Sequence, residues 1–341
     1  MDNKRAACRR GRVIIAMSGG VDSSVAAAML KNDLSALGGG YNVVGIFMLM
    51  HKNSNPQDAK IVAKKLKIDF KVLDVRKEFK KQVIDYTLKE YESGNTPNPC
   101  VECNKYIKFR FLLEKMVQLK ADFIATGHYA RIKDGKLFIA KDIKKDQSYF
   151  LWTLKQKQLT KILFPLGDYT KEQVRGLAKN LPAGRQGFKL PVFNKKESQD
   201  ICFDLPRPSS CVADPIITMD NKKIGEHKGL IFYTIGQRKN IGLSGGPYYV
   251  VKKDYKKNTL IVSKSKKDLL QKGMAVKNMN WISGKPYTGK CKVKIRSMAK
   301  MADAIIKGSK IVFKKPQRAI TSGQSAVFYL DGELMGGGVI L

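Results

Sequence analysis

The first 180 residues alternate short apolar runs with amphipathic stretches. "RVIIAM" (12–17), "NVVGIFML" (42–49) and "DFKVLDV" (69–75) are predicted as buried parallel strands, and "DFIATG" (122–127) as a further short one. Between them, "SSVAAAMLK", "DAKIVAKKLK", "KKQVIDYTLKEYE" and "NKYIKFRFLLEKMVQLK" carry apolar residues at helical spacing. "YTKEQVRGLAKNL" adds a helix that opens with Thr170 and has Gln173 three residues later, the pattern of a capping box. Strands alternating with helices imply an α/β domain, a doubly wound parallel sheet that binds ligands beyond the carboxyl ends of its strands.

After about residue 204 the pattern shortens. "LIFYTIG", "PYYVVKKD", "NTLIVS", "KCKVKIRS", "SKIVFKK" and "QSAVFYLDGELMGGGVIL" are β-rich runs separated by Gly, Asn and Lys turns. They imply a small central β-rich domain followed by a barrel. The expected divisions are 1–203, 204–274 and 275–341. No internal repeat is evident.

Composition narrows the class. A length of 341 residues suits two or three domains, at roughly 150 residues each. A hydrophobic share of 43% supports packed cores. Sixty-four Lys and Arg against 29 Asp and Glu leave +35, a long-range positive field for which a polyanion is the natural partner. The plain alternative is a solvated lysine-rich surface. The basic N-terminus has an apolar run only from Val13 to Met17, too short for a signal-peptide core. No stretch approaches the ~18 apolar residues of a membrane span. A cytoplasmic protein with reduced thiols is expected, so Cys8, Cys100, Cys103, Cys202, Cys211 and Cys291 are not read as a disulfide framework. Three histidines leave little for a mixed zinc site, and no second C-x-x-C accompanies Cys100 and Cys103.

Chemistry enters with "AMSGGVDSSVAA". Ser18, Gly19 and Gly20 let the backbone approach a ligand, and a helix beginning near Asp22 aims its N–H groups and positive dipole at it. An anion is expected there. The Gly-Lys-Ser/Thr ending of a Walker A loop is absent. The stretch resembles the PP-loop of ATP pyrophosphatases, which split ATP into AMP and pyrophosphate; that resemblance implies adenylation without naming the acceptor.

"GNTPNPCVECNKYIKF", "ATGHYAR", "KDQSYFLW", "ESQDICF", "EHKGLIFYTIGQRKNIG" and "AITSGQSAVFY" with "GGGVI" follow in that order. Together with "MSGGVDSSVAA" they resemble the tRNA-specific 2-thiouridylase family from about Val13 to Leu341. The resemblance implies a PP-loop domain, a central domain and a C-terminal β-barrel. It also implies ATP- and Mg²⁺-dependent replacement of the C2 oxygen of the wobble uridine by sulfur. The partners it implies are the tRNA anticodon stem-loop and a sulfur donor, such as a cysteine desulfurase or a sulfur-relay carrier. No membrane partner is expected.

Residue by residue, Cys103 takes the place of the family nucleophile and Cys202 that of the persulfide carrier, with Asp22 organising the metal or phosphate site. Cys103 stands just ahead of a predicted helix, whose dipole favours a thiolate. Ala16, Met17, Ser18, Gly19, Gly20, Val21, Asp22, Ser23, Met48 and Gly127 are implied to contact ATP. Asn98, Pro99 and Cys100 are implied to lie against the target base, and His128, Lys145, Asp146, Gln147, Arg296, Ser297 and Gln324 to contact tRNA. No resident metal ligand is implied. Cys8, Cys211 and Cys291 match no motif. Four departures stand out: the inserted "PAGRQG" (182–187), a shortened stretch from Asp204 to Asp220, Ser322 in place of Pro, and "SMAKMADA" after Arg296. A PP-loop ligase for a small substrate and a non-catalytic RNA-binding module are the alternatives. The charge, the intact loop and the two separated cysteines argue against them.

Overall fold

Val13, Ile14 and Ile15 are fully buried because strand β1 (Arg12–Ala16) is the middle strand of a five-stranded sheet. The computed structural model describes residues 11–32, 40–179 and 214–341. Cys202 with its "ESQDICF" motif, Cys8, Cys211 and the "PAGRQG" stretch lie outside the described residues. The chain groups into two compact units, one of residues 11–82, 101–179 and 332–334, the other of residues 83–100, 214–331 and 335–341.

The first unit begins β1, α1 (Val21–Lys31), β2 (Asn42–Leu49), α2 (Gln57–Leu66), β3 (Asp69–Asp74) and α3 (Arg76–Phe79). From α3 the chain passes through π-helical residues Lys80–Asp85 into α4 (Tyr86–Glu92), which belongs to the second unit. It returns through α5 (Pro99–Glu102), π-helical residues Cys103–Lys108 and α6 (Phe109–Gln118) to β4 (Phe123–Ala125). A hairpin of β5 (Arg131–Lys133) and β6 (Lys136–Phe138), then α7 (Gln156–Leu159), β7 (Ile162–Leu163) and α8 (Lys171–Lys179), follow. The sheet order is β3-β2-β1-β4-β7, parallel throughout, as alternating strands and helices require. Its order reverses between β1 and β4, so a crevice at their carboxyl ends is the expected ligand position. Helix α1 is buried from Ser23 to Leu30, and its alanines and serines let it pack closely in the core. The capping box forms as read: Gln173 N donates to Thr170 Oγ1 at 3.2 Å, and Thr170 N to Gln173 Oε1 at 2.9 Å.

The strand β3 corrects one expectation. It is an edge strand with no buried residue, and Val72 is 46% exposed. Its Asp69, Lys71 and Asp74 mark an edge open to water rather than a strand covered on both faces.

In the second unit, β8 (Asp214–Thr218), β9 (Lys223–His227), β10 (Tyr249–Asp254) and β11 (Thr259–Ser263) form a sheet in the order β10-β11-β8-β9. "LIFYTIG" is not a strand. Leu230–Phe232 makes a 3₁₀ turn, and Leu230 and Tyr233 fill the core against Val250, Leu260 and Val262. The remaining strands are β12 (Leu270–Trp281), β13 (Gly289–Lys294), β14 (Ala302–Lys307), β15 (Lys310–Arg318), β16 (Ser325–Leu330) and β17 (Glu333–Ile340). They pair in the order β12-β15-β14-β13-β16-β17, and β12 also pairs with β17, closing a six-strand barrel. Closure leaves these strands without an open edge. Cys291 points into the barrel core, where burial pushes its thiol up to about 11. Among the described residues no helix is long and apolar enough to cross a membrane.

Behind β4, the His128 ring stacks on Phe109 (centroids 5.8 Å, planes 24° apart) and meets the edge of Phe164 at 6.1 Å. Its Nδ1 lies 2.7 Å from Thr126 Oγ1. Burial, with a smaller contribution from the Lys108 charge, pushes its pKa down to about 3. An unfolded histidine titrates near 6.5, so below that pH the unfolded chain binds the extra proton and stability falls with pH until about 3. The expected outcome is a stability–pH slope in the native protein steeper than that of His128→Phe, by up to about 1.4 kcal/mol per pH unit between roughly pH 6 and 4. Denaturant titrations across that range check it; equal slopes would show that the ring is not held neutral.

Candidate functional site

The loop Met17–Gly20 leaves β1 and turns directly into α1. Met17 N donates to Ile46 O at 2.8 Å, extending the sheet one residue past the strand. Ser18 N donates to Ser23 Oγ at 3.2 Å, while Ser23 Oγ (3.1 Å) and Ser24 Oγ (2.8 Å) donate to Gly20 O. Gly20, the N-cap of α1, contributes no side-chain cap. Gly20 N donates to Ser18 Oγ at 3.3 Å, while no N-cap side chain covers the N–H groups of the first turn itself, which leaves them to an anion.

Asp22 sits in that first turn, half-buried, and is the hub of the unit. Lys171 Nζ, from the start of α8, donates to both its carboxylate oxygens at 2.9 and 2.8 Å. Tyr129 Oη donates to its Oδ1 at 2.8 Å. Lys171 is only 7% exposed, so its charge is balanced within the fold. Each partner is itself fixed. Asp142 Oδ2 accepts from Lys171 N at 2.9 Å, and Gln147 Oε1 accepts from Tyr129 N at 3.0 Å. Gly127, after β4, lies so close to the same turn that a Cβ there would be 3.0 Å from Ser23 N. The structure thus brings Ser18–Ser23, Gly127, Tyr129 and Lys171 to the switch point between β1 and β4. Ala16 ends β1, and Met48, 7% exposed, lies near the carboxyl end of the neighbouring β2.

Cys103 departs from its expected setting. Helical structure begins at Pro99 rather than at Asn104, so Cys103 stands inside the helix, where it opens the π-helical segment. Single π turns re-aim side chains and recur at functional positions. Cys103 is 5% exposed, whereas Cys100 is exposed. The neighbouring Asn104 donates through Nδ2 to Phe150 O at 3.0 Å and leaves its buried Oδ1 without a partner. Among the described residues no group of three His, Cys, Asp or Glu side chains could hold a metal ion.

The residues expected to meet tRNA occupy varied settings. His128 is packed as described above. Asp146 accepts from Ala140 N (3.1 Å), Ser148 N (3.2 Å) and Ser148 Oγ (3.0 Å), and Gln147 braces Tyr129, so both organise the Lys145 turn from within. In the second unit, Arg296 Nη2 reaches Ile235 O, Ala319 O and Thr321 Oγ1 at 2.7–2.9 Å, with half-buried Ser297 beside it. Gln324 donates to the chain around Thr96. Tyr129 and Lys171 received no role from the sequence. Their only signal was membership of "ATGHYAR" and "YTKEQVR", since nothing in periodicity joins residues 107 and 149 positions from Asp22.

Residues 11–204 match the tRNA methyl transferase HUP domain, residues 210–264 the tRNA methyl transferase PRC-barrel domain, and residues 271–340 the aminomethyltransferase beta-barrel domain. The tRNA-specific 2-thiouridylase MnmA of Clostridium perfringens is 41% identical over 366 residues, covering 96% of this chain and 98% of that protein. Its namesake from Halothermothrix orenii is likewise 41% identical with the same coverage, and that from Carboxydothermus hydrogenoformans is 40% identical over 97% of this chain and 98% of its own. With likeness of that degree along almost the whole of both chains, this protein belongs to the tRNA-specific 2-thiouridylase family.

Proposed function

We propose that the chain thiolates the wobble uridine of a tRNA anticodon at C2, by adenylation of the C2 oxygen followed by sulfur transfer from a persulfide on Cys202. The observation that carries this reading is the uncapped first turn of α1 with Asp22 fixed beside it by Lys171 and Tyr129. Those residues fit a nucleotide polyphosphate with a divalent cation: backbone donors for phosphate, one carboxylate for the cation, one ammonium for balance. The C2 oxygen is a poor leaving group; ATP supplies AMP to convert it into a good one, and Mg²⁺ neutralises the pyrophosphate. Asp22 is held ready by its two donors, and Lys171 keeps the net charge of the pocket near neutral before a substrate enters. Ala16, Met48 and Gly127 complete the nucleotide site in this reading.

Asn98, Pro99 and exposed Cys100 receive the base. The terminal sulfur of the Cys202 persulfide attacks C2 as AMP departs. The thiolate of Cys103 then attacks the Cys202 sulfur, releasing 2-thiouridine and leaving a Cys103–Cys202 disulfide for an external thiol to reduce. A sulfur donor must recharge Cys202. A small-substrate ligase is not favoured, because relatives named for tRNA thiolation match both β modules as well as the sheet domain. The divisions near 204 and 274 belong to the same reading.

With ATP, Mg²⁺ and tRNA, the expected nucleotide products are AMP and pyrophosphate. Asp22→Ala abolishes their release, and Lys171→Met slows it by ~10²-fold or more, as removal of one preorganised charge does. Chromatography of the nucleotides checks this; ADP and phosphate would mean a different phosphoryl chemistry.

tRNA affinity, measured by filter binding, is expected to fall roughly 10³–10⁵-fold between about 50 and 200 mM salt if six to ten phosphates are contacted. A flat response would assign the +35 charge to another purpose.

In radiolabelled sulfur transfer, Cys103→Ser and Cys202→Ser are each expected to be inactive while retaining ATP and tRNA binding, because a hydroxyl replaces a thiolate poorly. Cys100→Asp keeps substantial activity. An inactive Cys100→Asp carrying one bound zinc would restore a metal clamp.

A further inference from the structure

The segment "NTPNPC" (95–100) is poor in donors of its own. Pro97 and Pro99 have no N–H, and residues 95–98 lie between α4 and α5 without a ladder partner, Pro99 and Cys100 opening α5. Its anchorage on the α4 side is local: Asn95 N donates to Glu90 O at 2.9 Å and Asn95 Nδ2 to Glu90 Oε2 at 2.8 Å. Thr96 and Pro97 are held by one turn of the barrel, residues 319–324. Thr96 N donates to Ser322 O at 2.8 Å. Gln324 Nε2 donates to Thr96 O at 2.9 Å and Pro97 O at 3.2 Å. One amide nitrogen thus supplies both its hydrogens to two successive carbonyls.

The turn that performs this is built for close approach. Gly323 has φ +88, and a Cβ on it would lie 2.8 Å from Thr96 N and 2.9 Å from Asn95 Cβ. Neither the conformation nor the space admits a side chain. The turn is in turn fixed from below. Gly323 N donates to Ile340 O at 2.9 Å and Ile340 N to Gln324 O at 2.8 Å, while Arg296 Nη2 holds Ala319 O and Thr321 Oγ1. The path from Arg296 through Thr321 and Gln324 to Pro97 is one of hydrogen bonds between named groups, and it ends on the residue before Asn98.

We propose that Gln324, seated on the Gly323 turn, is a positioning residue whose task is to hold the Thr96–Cys100 segment in the shape that receives the base. This rests on the reading above that Asn98, Pro99 and Cys100 face the base. The alternative role for Gln324 is a direct contact with the RNA, and the two differ in what a substitution changes. A positioning residue acts on the rate with tRNA already bound; a phosphate or base contact acts on affinity and its salt dependence.

The test uses the full-length protein, Gln324→Ala and Gly323→Ala, with unmodified tRNA. Three quantities are read: the single-turnover thiolation rate at saturating tRNA, the tRNA Kd with its salt slope, and the rate at which exposed Cys100 is alkylated by iodoacetamide. Both variants are expected to lower the rate by roughly 10- to 100-fold, as misplacement of a reacting partner does. Kd should stay within about twofold with an unchanged salt slope, and Cys100 alkylation should change several-fold as the segment loosens. A weaker Kd with a shallower slope and an unchanged saturating rate would overturn the proposal in favour of an RNA contact. Unchanged Cys100 alkylation in both variants would also overturn it, by showing that the segment is not held by this turn. Altered alkylation with an unchanged rate would confirm the brace and instead refute the placement of the base against residues 98–100.

Discussion

The ion pair between Asp22 and Lys171 is the constraint on which the sheet unit is organised. It joins the first turn of the helix that follows β1 to the first turn of α8, the last helix described before residue 180. Such a pair contributes little net stability when intact, yet removing half-buried Asp22 would strand the buried Lys171 ammonium. Its value is therefore in geometry. The carboxylate cannot rotate away from the crevice while two oxygens accept from Lys171 and one from Tyr129. Tyr129 is steadied by Gln147, and the turn that carries Gln147 is steadied by Asp146. Residues far apart in sequence thus set the position of one carboxylate.

The second unit reaches a comparable end with hydrogen bonds to neutral acceptors in place of an ion pair. Arg296 spends its guanidinium on internal acceptors, and Gln324 spends its amide on the "NTPNPC" backbone. Polar residues in a strongly basic chain invite assignment as RNA contacts. Here several are committed to the fold itself, and the net charge of +35 has many exposed lysines to draw on for a polyanion.

What could be read from the sequence was local. The strands β1 and β2 follow from their continuous apolar runs, α2 from its helical apolar spacing, α1 from the run of small and apolar residues after the loop, and the Thr170–Gln173 cap from its residue types. The edge position of β3 did not follow, since it depends on the absence of a neighbour rather than on the strand. The turn at Leu230–Phe232 was hidden because its aromatic residues satisfy a core as well as a strand would. The π-helical segment at Cys103 leaves no trace in a helical pattern. The loop was legible in the sequence, but Lys171, Tyr129 and the bond from Gln324 to Thr96 are tertiary contacts across 107 to 228 positions, which no local pattern encodes.

The segment 83–100 lies in the middle of the sheet domain's sequence yet groups with the C-terminal half of the chain. A gene shortened near codon 204 would keep the whole nucleotide loop and Cys103, but would delete Ser322 and Gln324, on which Thr96 and Pro97 hang. The β modules therefore brace a segment whose codons lie within the N-terminal half. Truncation near codon 204 would thus leave Thr96 and Pro97 without these bonds while sparing the loop that precedes them.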